Sequence, residues 1–124
     1  MTNFFLVAAG GALGASLRYL TLLSFKYFIY YSFVATLFIN IVGSFLIGFF
    51  IYIIKSKTIS EDVIRYFFIV GLLGSYTTFS AFSFESIELF MNKKIFLSFC
   101  YIILSIILCL IAAYIGLNFE KIIH

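Results

Sequence analysis

In an otherwise apolar chain the residues able to do chemistry are few, and most stand in one stretch, residues 71–85, GLLGSYTTFSAFSFE. Gly71 and Gly74 precede a Tyr76-Thr77-Thr78 run, and Phe79, Ser80, Phe82 and Ser83 follow it. Glycines and β-branched residues are poor helix formers, so a helix through this segment is expected to break between about Gly74 and Thr78. Non-helical backbone at membrane depth is tolerated only inside protein or along a cavity. Carbonyls freed at the end of the first half-helix are hard neutral oxygens suited to a hard cation. The N-terminus of the second half favours an anion. Beyond the break, at about 100° per residue, Phe79, Phe82 and Ser83 share one stripe with Ser80 at its rim. The edge of a phenyl ring carries positive quadrupole charge. Two rings presented edge-on beside hydroxyl donors therefore form a route for a small anion, with ordinary core packing of phenylalanine as the competing account.

Three further polar positions fit the same chemistry. Asn40 offers two amide donors that lipid cannot satisfy, and in an antiparallel pairing of the second and third spans its depth corresponds to that of Phe82. Interhelical glue is the alternative use of such an amide. Arg18 is the one basic residue well inside an apolar run, where a charge costs at least about 2.5 kcal/mol. It needs a water-filled vestibule or a partner, unless it snorkels to the interface. In the fourth run Ser98, Tyr101 and Ser105 recur at i, i+3 and i+7, one helical face, extending a line of hydroxyl donors unless the serines bond back to their own helix.

Catalysis is not expected. The single histidine is His124, and no Ser/His/Asp or Cys/His set exists. Cys100 and Cys109 lie about 180° apart around one helix and show no ligand spacing.

The elements that must position these groups follow from composition. Of 124 residues, 65% are hydrophobic and 10% charged, with no proline, whereas soluble domains carry about a quarter charged residues. Four apolar runs, roughly 4–25, 33–54, 63–90 and 95–119, each reach the ~20 residues that cross a bilayer as helix. The start, Met1-Thr2-Asn3, lacks the basic region of a cleaved signal peptide. The expected fold is an all-α membrane protein, one domain over 1–124, with four transmembrane helices and the third broken near its middle. Short loops make successive spans antiparallel neighbours. Gly10 with Gly14, Gly11 with Ala15, and Ser44 with Gly48 are small residues four apart that let membrane helices approach closely. A close-packed bundle leaves no central hole, so an ion path must run along a groove or between subunits. Lys55, Lys57, Arg65 and Lys121 stand on one side, against Lys26, Lys93, Lys94 and, if it snorkels that way, Arg18 on the other, too even a count to set orientation. Insertion both ways, with pairing as an antiparallel dual-topology homodimer, is the expectation; a fixed topology set by weak local cues is its competitor.

Three segments, GGALGASLRY (10–19), TLFINIVGSFLIG (36–48) and GLLGSYTTFSAFS (71–83), in this order and spacing, resemble the Fluc (CrcB) family of fluoride channels. The resemblance implies a multi-pass protein of the cell (inner) membrane, a dual-topology homodimer with two fluoride pores that passively exports cytoplasmic fluoride and so confers fluoride resistance. By motif position, Phe79 and Phe82 match the paired pore phenylalanines, Asn40 the pore asparagine and Arg18 the vestibule arginine. Ser80, Ser83, Tyr101 and Ser105 join them on the anion pathway. Gly74 and Thr77 match the residues whose backbone carbonyls, from both subunits, hold a structural sodium ion at the dimer centre. Ala81 departs from the pattern, which commonly has threonine there. Fluoride, a second copy of the chain and the bilayer are the implied partners; nucleic acid is not. Two other readings are a small four-span multidrug-type exporter, which needs a glutamate that span one lacks, and a non-transporting scaffold, which leaves Asn40, Arg18 and residues 74–83 without a role.

Overall fold

The computed structural model describes residues 1–55 and 61–123, so Lys57 and His124 lie outside the described residues. Lipid offers the backbone no hydrogen bonds, so spanning segments must satisfy their own, as helices do. Accordingly α1 runs Thr2–Phe28 and α2 Ser32–Lys55, both unbroken. The third span opens as a π-helix, Val63–Leu73, and continues through the single turn α3, Gly74–Tyr76. After the break, α4 covers Phe79–Met91, α5 Ile95–Leu117 and the short α6 Phe119–Ile123. Among the described residues four helices are long and apolar enough to cross a membrane, as the four apolar runs predict, with the starts at Val63 and Ile95 as expected and the other ends moved by one to three residues.

The bundle is built from close pairs. α1 lies along the π-helix and α2 along α5, which α4 also contacts. At the first seam Gly10 and Gly14 are buried. A Cβ on Gly10 would overlap the Phe67 carbonyl, and one on Gly14 the Leu72 carbonyl. Gly71 returns the contact, with its Cβ position 3.0 Å from the Gly10 Cα. Gly48 and Gly116 do the same between α2 and α5. Of the expected small-residue pairs, Gly11 and Ala15 are not at such a seam: Gly11 meets only the Ser75 hydroxyl, at 3.3 Å, and Ala15 is exposed. Ser44 faces a groove rather than a helix seam.

α4 ends in a helix-closing motif at Lys93, whose φ of 59° is left-handed. The Lys94 N–H donates to the Leu89 carbonyl at 3.0 Å and that of Lys93 to Phe90 at 3.1 Å. These are the two bonds that terminate a helix at a left-handed residue, and they turn the chain directly into α5.

The break falls at Thr77 and Thr78, within the expected interval. Thr77 has ψ 157° and Thr78 has φ −151°, ψ 119°, both extended. The Thr77 N–H makes the last helical bond, to the Leu73 carbonyl at 3.0 Å, and its hydroxyl donates to the same oxygen at 2.8 Å.

Candidate functional site

Two extended residues leave main-chain groups without helical partners, and α2 supplies them. The Thr78 N–H donates to Oδ1 of Asn40 at 2.8 Å, and Nδ2 of Asn40 donates to the Thr78 carbonyl at 3.0 Å. Asn40 thus bonds one turn nearer the break than the level of Phe82 expected from depth alone. Thr78 also starts α4: its Oγ1 accepts from the Ala81 N–H at 3.2 Å, an N-cap, and lies 3.1 Å from the Ser80 hydroxyl.

A groove of about 280 Å³ opens beside this clasp, lined by Asn40 and Ser44 of α2, Thr78, Phe79 and Phe82 around the break, and Ser105 of α5. The Phe79 and Phe82 ring centroids are 5.4 Å apart, tilted by 47°. Phe82 is buried and packs on Tyr101 at 5.3 Å, whereas Phe79 is 78% exposed on the single chain. Ser105 is buried, and its Oγ is the buried side-chain polar atom without a hydrogen-bond partner among the described residues. A buried hydroxyl without a partner costs roughly 1–3 kcal/mol, and this one stands beside the groove with its donor unspent.

Deeper along α4 the hydroxyls are already in use. Glu85, 7% exposed, accepts from the Thr36 hydroxyl on Oε1 and from the Tyr101 hydroxyl on Oε2, each at 2.9 Å. Two hydroxyl donors from two different helices thus converge on one carboxyl group. Two cavities, of about 460 and 340 Å³, both reach Glu85. The larger contains Lys26, Thr36 and Ala81, the smaller Glu88, Asn92 and Lys94. Their cations stand at the end of the bundle where α1 finishes and α5 begins. Lys94 is held there over the Tyr31 ring, 5.3 Å from its centroid.

Sequence reasoning missed Glu85 and Thr36. A carboxylate inside the third span was the available signal, because ionisable groups in a membrane span mark functional sites. Of the residues it did select, Asn40, Phe79, Phe82 and Ser105 come together at the groove. Tyr101 stands behind Phe82 and faces Glu85 instead. Ser98 is buried and donates to the Ser86 carbonyl at 2.7 Å, a bond between helices. Ser80 is exposed beside Thr78, and Ser83 is half-buried and not among the residues lining the groove.

Arg18 reaches the break from α1: its Nη1 lies 3.4 Å from the Thr77 carbonyl, and one turn on, Thr21 Oγ1 is 3.3 Å from the Tyr76 hydroxyl. Arg18 has no ion pair among the described residues. The carbonyls assigned to a cation are available in the right chemistry. The Thr78 N–H that an unbroken helix would give to Gly74 goes to Asn40 instead, and ψ of 157° turns the Thr77 carbonyl out of the helix. Two neutral oxygens are the donor type that a hard monovalent cation takes, and a cation at the Thr77 oxygen would share it with Arg18. Among the described residues no cluster of His, Cys, Asp or Glu offers a competing metal site.

Residues 5–117 match the family model described as CrcB-like protein, Camphor Resistance (CrcB). The chain is 42% identical over 122 residues to a protein of Flavobacterium psychrophilum named fluoride-specific ion channel FluC, covering 98% of each. It is 42% identical to a protein of the same name from Campylobacter hominis, over 95% of this chain and 94% of the relative. A third, from Rhizobium meliloti, is 43% identical over 94% of each and bears that name too.

Proposed function

The chain belongs to the CrcB family, a multi-pass membrane protein, and from that membership we infer that it is a fluoride-selective ion channel through which cytoplasmic fluoride leaves passively. The observation that carries this reading is the idle Ser105 hydroxyl, buried on the wall of the groove that also presents Asn40, Phe79 and Phe82. Fluoride is small and strongly hydrated, so a selective path must replace its water with many donors in a narrow space, each binding weakly enough to release it. Amide, hydroxyl and ring edge in one groove meet that need without a fixed positive charge.

Further along, an ion moving between the groove and the cavities at the Lys26 and Lys94 end meets Thr36 and Tyr101, both bonded to Glu85. These hydroxyls serve a passing anion only by leaving the carboxylate, so Glu85 holds their place between ions. Arg18 and the two lysines raise the local anion concentration.

The working unit is an antiparallel homodimer with two pores. Support comes from the even distribution of Lys and Arg between the two ends and from the open faces of Phe79 and Gly74 on a single chain. The Gly74 and Thr77 carbonyls of two such chains would hold a structural sodium ion, whose charge supplies the attraction between oxygens that otherwise repel. An exporter of the multidrug type would need its carboxylate in span one; the buried carboxylate among the described residues is Glu85, in span three, and it is bonded to hydroxyls.

The test is ion efflux from liposomes holding purified protein. Fluoride is expected to leave while chloride is retained, and exchange of a proton gradient for drug movement, or equal passage of chloride, would overturn the reading.

A further inference from the structure

We propose that the position and shape of the break in the third span are imposed by the second span, with Asn40 and Gly43 acting as positioning residues. The two are three apart on an unbroken helix and so share a face. Asn40 supplies the polar half of the seat. Its amide accepts from the Thr78 N–H at 2.8 Å and donates to the Thr78 carbonyl at 3.0 Å, reproducing with one side chain the paired bonds that a neighbouring strand would make to an extended residue. Gly43 supplies the steric half: a Cβ there would overlap the Thr77 methyl, and would stand 3.6 Å from the Tyr76 ring. The extended segment therefore rests on bare backbone at one residue and is pinned at the other.

The consequence reaches the groove through Thr78. Held by Asn40, Thr78 points its hydroxyl to the Ala81 N–H at 3.2 Å, which fixes the first turn of α4 and with it the directions of Phe79 and Phe82. An amide nitrogen carries two hydrogens; one is engaged with Thr78, which leaves a second donor on a residue that lines the groove. Asn40 thus orders the break independently of any contact it makes with an ion.

The inference rests on the fluoride reading only for its flux readout, and wild-type efflux measured in the same liposomes tests that reading separately. The first arm needs no flux. In Asn40→Ala, hydrogen exchange at the Thr78 amide of the purified full-length chain in lipid is expected to quicken by about tenfold or more, the cost of an acceptor lost from a buried donor. Protection equal to wild type would overturn the proposal.

The second arm separates positioning from ion contact, because Gly43 has no polar side-chain atom. Gly43→Ala should lower fluoride efflux by about tenfold or more, the scale of an overpacked contact. Adding Thr77→Ser, which removes the obstructing methyl and keeps the hydroxyl bonded to Leu73, should restore it toward the wild-type value. Wild-type flux in Gly43→Ala, or no recovery in the double variant, would overturn the steric half. If Asn40→Ala does not yield folded protein, the Gly43 pair decides. If wild-type protein passes no fluoride, the exchange arm still decides whether Asn40 holds the break.

Discussion

The phenolic hydroxyl of Tyr101 donates to Oε2 of Glu85 at 2.9 Å, joining α5 to α4 in the interior of the bundle, where both residues are buried. The Tyr101 ring, meanwhile, packs against Phe82 at 5.3 Å. One residue therefore links the ring side of the site to its carboxylate.

Tyr101→Phe keeps the ring contact and deletes the donor. Glu85 is left with Thr36 as its hydroxyl partner, and a buried polar group that loses a bond costs roughly 1–3 kcal/mol. Fluoride efflux and the thermal unfolding midpoint should both fall, read by a fluoride electrode and by a melting curve in detergent.

Ser105→Ala should separate the two readouts. Removing a hydroxyl that has no partner relieves a burial cost of about 1–3 kcal/mol, so the unfolding midpoint should hold or rise while fluoride efflux drops. A fall in both would mean that the hydroxyl is structural.

Phe82→Leu removes the ring edge from the groove and the tilted ring contact with Tyr101, worth about 0.5–1.5 kcal/mol, while keeping the site apolar. Efflux should be suppressed by at least about tenfold, with the protein still eluting as the wild-type assembly on size-exclusion chromatography; unchanged flux would remove Phe82 from the pathway.

Replacing sodium by a large organic cation tests Gly74 and Thr77. In the proposed dimer, a cation too large to enter between the carbonyls would leave them in mutual repulsion, so the dimer should dissociate at higher protein concentration than in sodium, measured by a subunit-exchange assay. Full insensitivity would remove the metal assignment.

Lys93→Gly lies far from the groove and should stabilise the chain. A non-glycine residue at φ 59° carries a penalty of about 1 kcal/mol that glycine avoids. The unfolding midpoint should rise with efflux unchanged.

The four spans and the break were legible because each depends on local composition: long apolar runs in a proline-free chain, and glycines beside β-branched residues at one depth. Asn40 was legible as a polar group needing partners, but not its choice of Thr78, since that depends on how far α2 is rotated and shifted against the third span. Hydropathy reports which residues are apolar and not how tightly the backbone winds, so the π-helical course of Val63–Leu73 left no mark in the pattern. Its packing partner did leave one, because Gly10 and Gly14 stand where α1 must meet the backbone of Phe67 and Leu72. Glu85 was visible as a letter, yet its meaning required the hydroxyls of Thr36 and Tyr101, which lie 49 and 16 positions away along the chain.

Because Asn40 grips Thr78, the height of the groove within the bilayer is referred to α2, a continuous rod of 24 residues from Ser32 to Lys55. At about 1.5 Å per residue, the grip lies some 12 Å along that rod from Ser32. A thicker or thinner bilayer is met by tilting such a rod, and tilting carries Asn40 and Thr78 together. The break and the rings that follow it therefore shift depth together with α2 as one piece when bilayer thickness changes, even though the span that bears the rings is itself discontinuous.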